Sequence, residues 1–513
     1  MKKSKTSKSD QGVAEKDFEE QSISGSLLDK WITLPMGILT LLVAGSVLNL
    51  IGYFLALKDE LWLNPREQEF IRWGAAIGYY AGVLAGPLLR SVGTKLAFIV
   101  SAVVSLIGFT ILGFYTDDNY IGTASSVIIV ILLAMVSFCG CIATLASVSI
   151  ILKNFPKATT PILVSLLITY YMIAPYFEKC IRSGFLHEYS FKATLIICGV
   201  IQFVTYIVAA FSMKEVEFSV RMLKACSSVD RIGVVIFIVI EGIFIGVIYF
   251  SCIVANKWRS GAYQMVVLNV ANFGAMCFCV FLLKKRIQTL DLDDVVVDIY
   301  HKDQDLKTTF KDVSFYILMI GTFIVVGSCT AFQLEAPTVA FAMGVPELGI
   351  HATKAFWVSD VIARFLGGIL AALFSIFINR YILAGLISFC GMIGFIFALL
   401  SQPVGATFFY ISAFVIGGSV GAFWVIVPLI IYQEKGVRNF EILWGIVITI
   451  NVLGVLVFDK TFMWVGDKEE PYEIGFCEGY SCYLPSFIIA ALLCGFSGLL
   501  CMLHHFGMIG NPE

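Results

Sequence analysis

Apolar stretches of roughly 20 residues recur along almost the whole of this 513-residue chain. A helix needs about 20 mostly apolar residues to cross the hydrocarbon core of a bilayer. Hydrophobic residues make up 58% of the sequence and charged residues only 14%, and a soluble domain could not bury that much apolar surface in one core. The sequence therefore predicts an all-α, polytopic membrane protein with the lipid bilayer as its solvent.

The apolar stretches give fourteen candidate spans, arranged as six, two and six. Their bounds are 34–57, 71–89, 96–114, 121–152, 161–181, 193–213, 232–255, 261–283, 313–342, 355–378, 381–401, 405–432, 442–458 and 484–503. This spacing predicts a disordered cytoplasmic tail over 1–30, a six-helix bundle over 31–213 and a second one over 313–513. Between the bundles, 214–312 is expected to hold two helices and a cytoplasmic loop over 284–312.

The distribution of lysine and arginine predicts the orientation of these spans. Cytoplasmic loops near span ends carry an excess of positive charge. The N-terminal segment and the even-numbered connections between spans hold most of the basic residues outside the spans, so these segments, and with them the N-terminus, are expected to face the cytoplasm. Because the number of spans is even, both termini are then expected to be cytoplasmic.

Two six-helix halves in tandem are typical of transporters that rock one bundle against the other around a central site. Glycine and proline inside the spans fit this use, because small residues permit close helix packing and proline frees carbonyl groups that can line a cavity. Examples are Gly82, Gly86, Gly421, Pro337 and Pro428. Ordinary helix packing explains such residues as well.

Three ionisable residues in spans nine and ten are candidates for substrate binding and coupling. An ionisable group inside a membrane costs about 2.5–3.5 kcal/mol on insertion scales. Asp360 and Arg364 are four residues apart, which puts them on one helix face, and their predicted depth matches that of Glu335. In one interpretation Arg364 holds an anionic substrate group and an acid releases it by taking up a proton. In the other, the residues form a permanent structural salt bridge.

Glu241, in the seventh predicted span, is a further intramembrane acid with no basic residue within four positions. It either serves a proton path or turns inward to an amide such as Asn269 or Asn272 of the eighth span.

The sequence lacks the motifs that are typical of several classes of protein function. The sequence contains no phosphate-binding loop, no cysteine and histidine cluster with metal-ligand spacing and no recognisable catalytic nucleophile motif, so we expect neither an enzyme nor a cofactor or metal site. A net charge of −2 argues against nucleic acid as a partner. Cys477 and Cys482, in the last predicted outer loop, either form a disulfide or stay reduced.

Several stretches resemble motifs of the nodulin-like branch of the major facilitator superfamily, and they occur in the same order along the chain. They are Lys-Asn-Phe-Pro-Lys-Ala at 153–158, Leu-Gly-Ile-His-Ala at 348–352 with the segment 358–368, the segment 432–441 and the cysteine-containing segment 477–487. Asp360 and Arg364 also look like the D-x-x-x-R element of monocarboxylate transporters. The resemblance covers most of the membrane-embedded chain. It implies a fourteen-span major facilitator fold in which Arg364 binds a carboxylate and Asp360 couples a proton.

The chain departs from these motifs at identifiable positions. Ala363 replaces a glycine, Lys435 an aromatic residue and Glu441 a glycine of the nodulin-like pattern. In the segment 86–95, which has the spacing of the superfamily's inner-loop motif, Arg90 stands where that motif has aspartate.

Taken together, these patterns predict a secondary transporter of a small polar or anionic metabolite, working by alternating access, with protons as a candidate coupling ion. It would reside in the plasma membrane or in an organelle membrane. The alternative from another class is a non-transporting receptor or scaffold that binds a cytosolic partner through the loop 284–312.

Overall fold

The computed structural model describes part of the chain, and all structural statements below concern that part. The described residues are 29–45, 74, 76–78, 81–115, 125–155, 159–184, 190–216, 233–246, 267, 270–281, 303–374, 378–405, 407–466 and 483–509. Every regular element in these ranges is helical.

The described helices are numbered here in chain order. The first eight are α1 (29–44), α2 (Gly82–Val92), α3 (Thr94–Tyr115), α4 (Ser125–Asn154), α5 (Thr160–Gly184), α6 (Phe191–Ser212), α7 (Gly233–Gly246) and α8 (Val270–Phe281). The others are α9 (Val313–Ala342), α10 (Pro346–Phe374), α11 (Arg380–Val404), α12 (Thr407–Lys435), α13 (Phe440–Gly466) and α14 (Leu484–His505).

Nine of the described helices are long and apolar enough to cross a membrane. Large apolar side chains such as Ile107, Val204 and Leu492 are half-exposed or more on their outer faces, as expected where lipid replaces water. The chain is thus a multi-pass integral membrane protein. The number of fourteen spans stays a prediction, because several predicted spans fall partly outside the described residues.

The start of α10 corrects one expectation. The span was predicted from residue 355, whereas the helix begins at Pro346, because proline fits the first turn of a helix and the acidic Glu347 is favourable there. The polar His351 and Lys354 had kept these turns out of the apolar window. Asp360 consequently lies about 21 Å from the first residue of its helix, while its depth of about 8 Å in the bilayer stays a prediction.

Helix α9 contains a π-helical turn over Thr322–Val326 that the apolar pattern did not indicate. The turn is followed by Gly327, and a Cβ atom there would lie 2.7 Å from the carbonyl carbon of Gly454 on α13. The two backbones therefore approach each other at a distance that only glycine permits.

The helices pack into two groups. Helix α3 packs on both α4 and α6 in the first group, and α10–α12 and α11–α14 are strongly packed pairs in the second. The groups meet mainly along α2 with α13 and along α5 with α10. Helix α7 lies beside this second boundary, since its Phe237 stacks on Trp31 of α1 and its Gly242 lies against the Phe365 ring of α10.

Candidate functional site

A cavity of about 1160 Å³, including its open part, lies between the two groups of helices. The first group contributes residues of α1, α4 and α5, among them Thr144 and Tyr171, and the second contributes residues of α9, α10, α12 and α13. Both groups therefore form the wall of one central chamber, as a site between two bundles requires.

Asp360 and Arg364 of α10 line this cavity as an ion pair. The Arg364 Nε atom donates to Asp360 Oδ1 at 2.7 Å and Nη2 donates to Oδ2 at 3.3 Å. Asp360 is 0% exposed and Arg364 3%, so the pair is nearly neutral as a unit in an environment that would penalise either charge alone. The predicted pairing four residues apart is confirmed.

The backbone of α12 packs directly against the Asp360 carboxylate. A Cβ atom on Gly421 would lie 2.5 Å from Asp360 Oδ1, which is closer than real Cβ contacts allow. Gly421 therefore leaves the room that Asp360 occupies, a specific reason for one of the glycines noted in the sequence.

Aromatic side chains surround the pair. The guanidinium carbon of Arg364 lies 5.7 Å from the ring centroid of Trp424, within range of a cation–π contact. Phe356, Trp357 and Trp444 also line the cavity. A ligand would thus meet one charged pair within a largely apolar wall that includes several aromatic side chains.

Glu335 is buried on α9, at 6% exposure, but is not among the residues that line this cavity, although its neighbours Gln333 and Leu334 are. Gly349 of α10 packs against Pro337 of α9, and Asp360 lies 11 residues, about 16 Å, further along α10. Glu335 is only two residues from Pro337. The structure thus places Asp360 and Arg364 together in the cavity wall, and Glu335 near the Pro337–Gly349 contact, outside the residues that line the cavity.

Glu241 lies apart from the cavity, in a buried polar triad. Its Oε2 atom accepts hydrogen bonds from the Tyr170 hydroxyl of α5 and from Asn272 Nδ2 of α8, the latter at 3.0 Å. The Asn272 amide also donates to the Tyr170 hydroxyl. Of the two alternatives for Glu241, the hydrogen bond to Asn272 is present.

Contacts between the two helix groups cluster toward one end of the molecule, called here the inner end and defined by the α2–α3 and α12–α13 connections. The charge pattern predicts that this end faces the cytoplasm. A Cβ atom on Gly82 would lie 2.9 Å from the Gly445 Cα atom. On the other boundary, Ser165 Oγ of α5 donates to the backbone oxygens of Arg364 at 2.7 Å and Phe365 at 2.9 Å.

Charged residues reinforce this contact. Lys153 Nζ at the end of α4 lies 2.9 Å from Glu441 Oε1 at the start of α13, and Ser149 donates a hydrogen bond to the same carboxylate. Arg90 donates to the side-chain oxygen of Asn439. Arg90 and Glu441 are positions at which the sequence departs from the motifs it resembles, and that departure was the available signal for these contacts.

A third departure, Lys435, pairs with Asp312 just before α9. Burial raises the pKa of the Asp312 carboxyl, but hydrogen bonds from Lys435 and from the Ser314 backbone outweigh burial and leave this pKa below its usual value. The adjoining end of the predicted partner-binding loop is docked here as well, since Asp303 accepts from the backbone N–H of Val437 at 2.9 Å. Residues 284–302, Cys477 and Cys482 lie outside the described residues. Within the described ranges, no group of three or more metal-ligating side chains occurs.

Two groups of long apolar helices around a central chamber that contains an ion pair define a membrane protein of the major facilitator fold. Solved structures similar in fold include the E. coli fucose:proton symporter FucP, at a TM-score of 0.51 and 13% identity, with 92% of this chain and 98% of that chain covered. The proton:xylose symporter XylE has a TM-score of 0.55 and 14% identity over 96% of each chain.

No protein-family profile and no curated protein matches the sequence. At these identities the structural likeness establishes the fold alone. The nodulin-like and monocarboxylate-transporter-like resemblances stay predictions.

Proposed function

We propose that this protein is a secondary transporter that moves a small polar or anionic metabolite by alternating access, with coupling to protons. The observation that carries the proposal is the Asp360–Arg364 pair, buried in the wall of a cavity between two helix groups. Intramembrane ionisable groups are costly and commonly mark a substrate or ion pathway.

The pair provides a chemical route to coupling. While Asp360 is ionised, Arg364 is neutralised and has little attraction for an anion. A proton on Asp360 removes that competition, and the guanidinium then offers its paired donors to a carboxylate or phosphate group. Loss of the proton restores the ion pair and displaces the anion. The solved structures of the same fold include proton symporters, which supports protons as the coupling ion.

The contacts at the inner end support the alternating-access part of the proposal. We infer that the α2–α13 and α5–α10 boundaries close the chamber at this end, in a state that is closed toward the predicted cytoplasm. In the complementary state, the predicted bundles 31–213 and 313–513 would rock about the central pair and separate here.

The test is solute uptake by purified protein in liposomes, using a panel of organic acids, sugars and neutral polar metabolites with and without an inward proton gradient. We expect gradient-stimulated, saturable uptake of an organic anion that Arg364→Gln abolishes. Asp360→Asn should uncouple uptake from the gradient, and Lys311→Gln, which removes a charge at an exposed position, serves as the matched control.

Uptake that ignores the gradient in the unaltered protein would refute the proton role. Full uptake by the double variant Asp360→Asn with Arg364→Gln would leave the pair a structural salt bridge.

A further inference from the structure

Glu241 is the buried acid that the proposed transport cycle does not use. The residue is 0% exposed, and among the described residues it makes no salt bridge. Its hydrogen-bond donors, the Tyr170 hydroxyl and the Asn272 amide, are both neutral and both bind Oε2. Glu241 Oε1 has no hydrogen-bond partner among the described residues, and neither does Asn272 Oδ1.

This arrangement is unsuited to a permanent carboxylate. Burial of an unpaired charge costs far more than burial of the neutral acid, so a carboxyl group without a counter-charge takes up a proton instead. Two neutral donors on Oε2 can bind the carboxylate or the neutral carboxylic acid. This leaves Oε1 as the oxygen that would carry the proton.

Other ionisable groups occur on the helices around α7. Among the residues whose side chains the structure describes, they are Asp29 and Lys30 of α1, Tyr170 and Tyr171 of α5, Cys277 and Cys279 of α8, and Glu347, His351, Lys354, Asp360 and Arg364 of α10. Arg364 is paired with Asp360, Lys30 Nζ lies 4.7 Å from the Phe155 ring centroid, and His351 and Lys354 are exposed. A thiol such as that of Cys279 offers no positive charge that could neutralise a carboxylate.

Glu241 lies on a helix that contacts both helix groups at the boundary between them. The residue joins α7 to α5 through Tyr170, while the next residue, Gly242, would place a Cβ atom 3.3 Å from the Phe365 ring of α10. The same Phe365 accepts the hydrogen bond from Ser165 that closes the α5–α10 boundary. Helix α7 thus contacts both helix groups beside the α5–α10 boundary. The groups would separate at this boundary if the inner end opened.

We propose that Glu241, held by Tyr170 and Asn272, is a proton-binding site distinct from the Asp360–Arg364 pair, and that its proton stabilises the closed inner end. In the closed state the carboxyl group is fully buried and prefers to be neutral. Withdrawal of Phe365 on opening would admit water to the triad and favour the carboxylate. A rise in pH therefore shifts the protein toward the open inner end. This inference rests on the alternating-access part of the proposed function.

The test measures conformation and needs no substrate. Spin labels are attached to cysteines introduced at the exposed positions 91 on α2 and 438 before α13, in full-length protein in nanodiscs, and the distance between them is measured across a pH series. We expect the ratio of open to closed inner ends to rise by up to about tenfold per pH unit, the limit for one linked proton. Glu241→Gln, which mimics the protonated acid, should abolish this rise and keep the inner end closed.

Two comparison variants make the result specific. Tyr170→Phe removes one donor but keeps the carboxyl group, so it should retain the pH response with a displaced midpoint. The double variant Asp360→Asn with Arg364→Gln should retain the response of Glu241. An unchanged pH response in Glu241→Gln would overturn the proposal.

A second measurement detects the proton in the unaltered protein. Infrared difference spectra of the unaltered protein, with and without carbon-13 in its glutamate side chains, report whether a buried glutamic acid loses its proton as pH rises. Glu335→Gln and Glu241→Gln then assign the band. Absence of any protonated glutamate band that responds to pH would overturn the proposal.

The outcomes separate this inference from the proposed function. Gradient-driven uptake together with a pH response that Glu241→Gln leaves intact would refute only the Glu241 site. A pH response that Glu241→Gln abolishes, in a protein that takes up no solute, would refute only the transport proposal.

Discussion

The ammonium group of Lys153 lies 2.9 Å from the Glu441 carboxylate, and this ion pair joins the first helix group to the second. Glu441 is 4% exposed as a residue, so the pair is shielded from the solvent screening that weakens surface ion pairs. Lys153 also contacts Glu215 at 2.9 Å, within its own group. The contact with Glu441 must break if the inner end opens, whereas the contact with Glu215 need not.

We therefore expect Glu441→Gln to favour the open inner end by about 1–2 kcal/mol, a change of roughly fivefold to thirtyfold in the ratio of states. The measurement is the rate at which a cysteine introduced into the cavity wall at Ile448 reacts with a maleimide added from the predicted cytoplasmic side. Glu215→Gln is the matched control and should have little effect. A double-mutant cycle between Lys153→Gln and Glu441→Gln that shows additive effects would contradict a direct coupling.

Removal of one member of the Asp360–Arg364 pair should destabilise the protein more than removal of both. Asp360→Asn leaves the Arg364 charge buried without its partner, a change that costs about 3–5 kcal/mol in comparable sites. The double variant with Arg364→Gln leaves no buried charge and should recover most of this loss. Thermal unfolding in detergent measures the comparison, and equal stability of the single and double variants would contradict it.

The Asp312–Lys435 pair should give a pH dependence at the acidic end of the range. Because the folded pKa of Asp312 lies below its ordinary value of 3.8, its contribution is complete above that value and disappears as pH falls through the lower, folded pKa. Asp312 is one-third exposed, so we expect Asp312→Asn to cost about 1 kcal/mol at neutral pH. The difference in unfolding temperature between the variant and the unaltered protein should vanish below the folded pKa. A difference that persists there would contradict a contribution from the ionised carboxylate.

Larger side chains at the α2–α13 boundary should hold the inner end open. A Cβ atom on Gly86 would lie 2.9 Å from the Ile442 Cα atom, and backbone atoms cannot move aside without separation of the helices. We expect Gly86→Val to raise the maleimide reactivity of the cavity cysteine and to reduce uptake by at least about tenfold. Gly246→Val is the control, since a Cβ atom at Gly246 meets nothing within 4 Å.

Local patterns predicted much of this molecule. The length of the apolar stretch predicted both ends of the span 313–342 correctly. The four-residue spacing predicted the Asp360–Arg364 pair. Both features depend on neighbouring residues along one helix. The major facilitator fold is also confirmed. The amide partner of Glu241 was predicted because few polar groups exist within reach of a buried acid.

Features that depend on the packing of distant helices were not predicted. The contacts of Arg90 with Asn439 and of Lys153 with Glu441 join residues that are hundreds of positions apart, and no local pattern specifies such a meeting. The first residue of α10 was wrong because its polar first turns did not meet the apolar criterion. The absence of Glu335 from the cavity lining was not predicted either.

The π-helical turn in α9 sets how far the part of the helix after the turn is rotated about the helix axis relative to the part before it. A π turn accommodates one residue more than an α turn, and one residue corresponds to about 100° of rotation around a helix. Thr330, Gln333 and Leu334 face the cavity from beyond this turn, while Ser314, at the other end of the helix, accepts a hydrogen bond from Lys435 at 2.8 Å. Deletion of a single residue within 322–326 would leave a regular helix whose cavity-facing residues and anchored end can no longer both point to their partners.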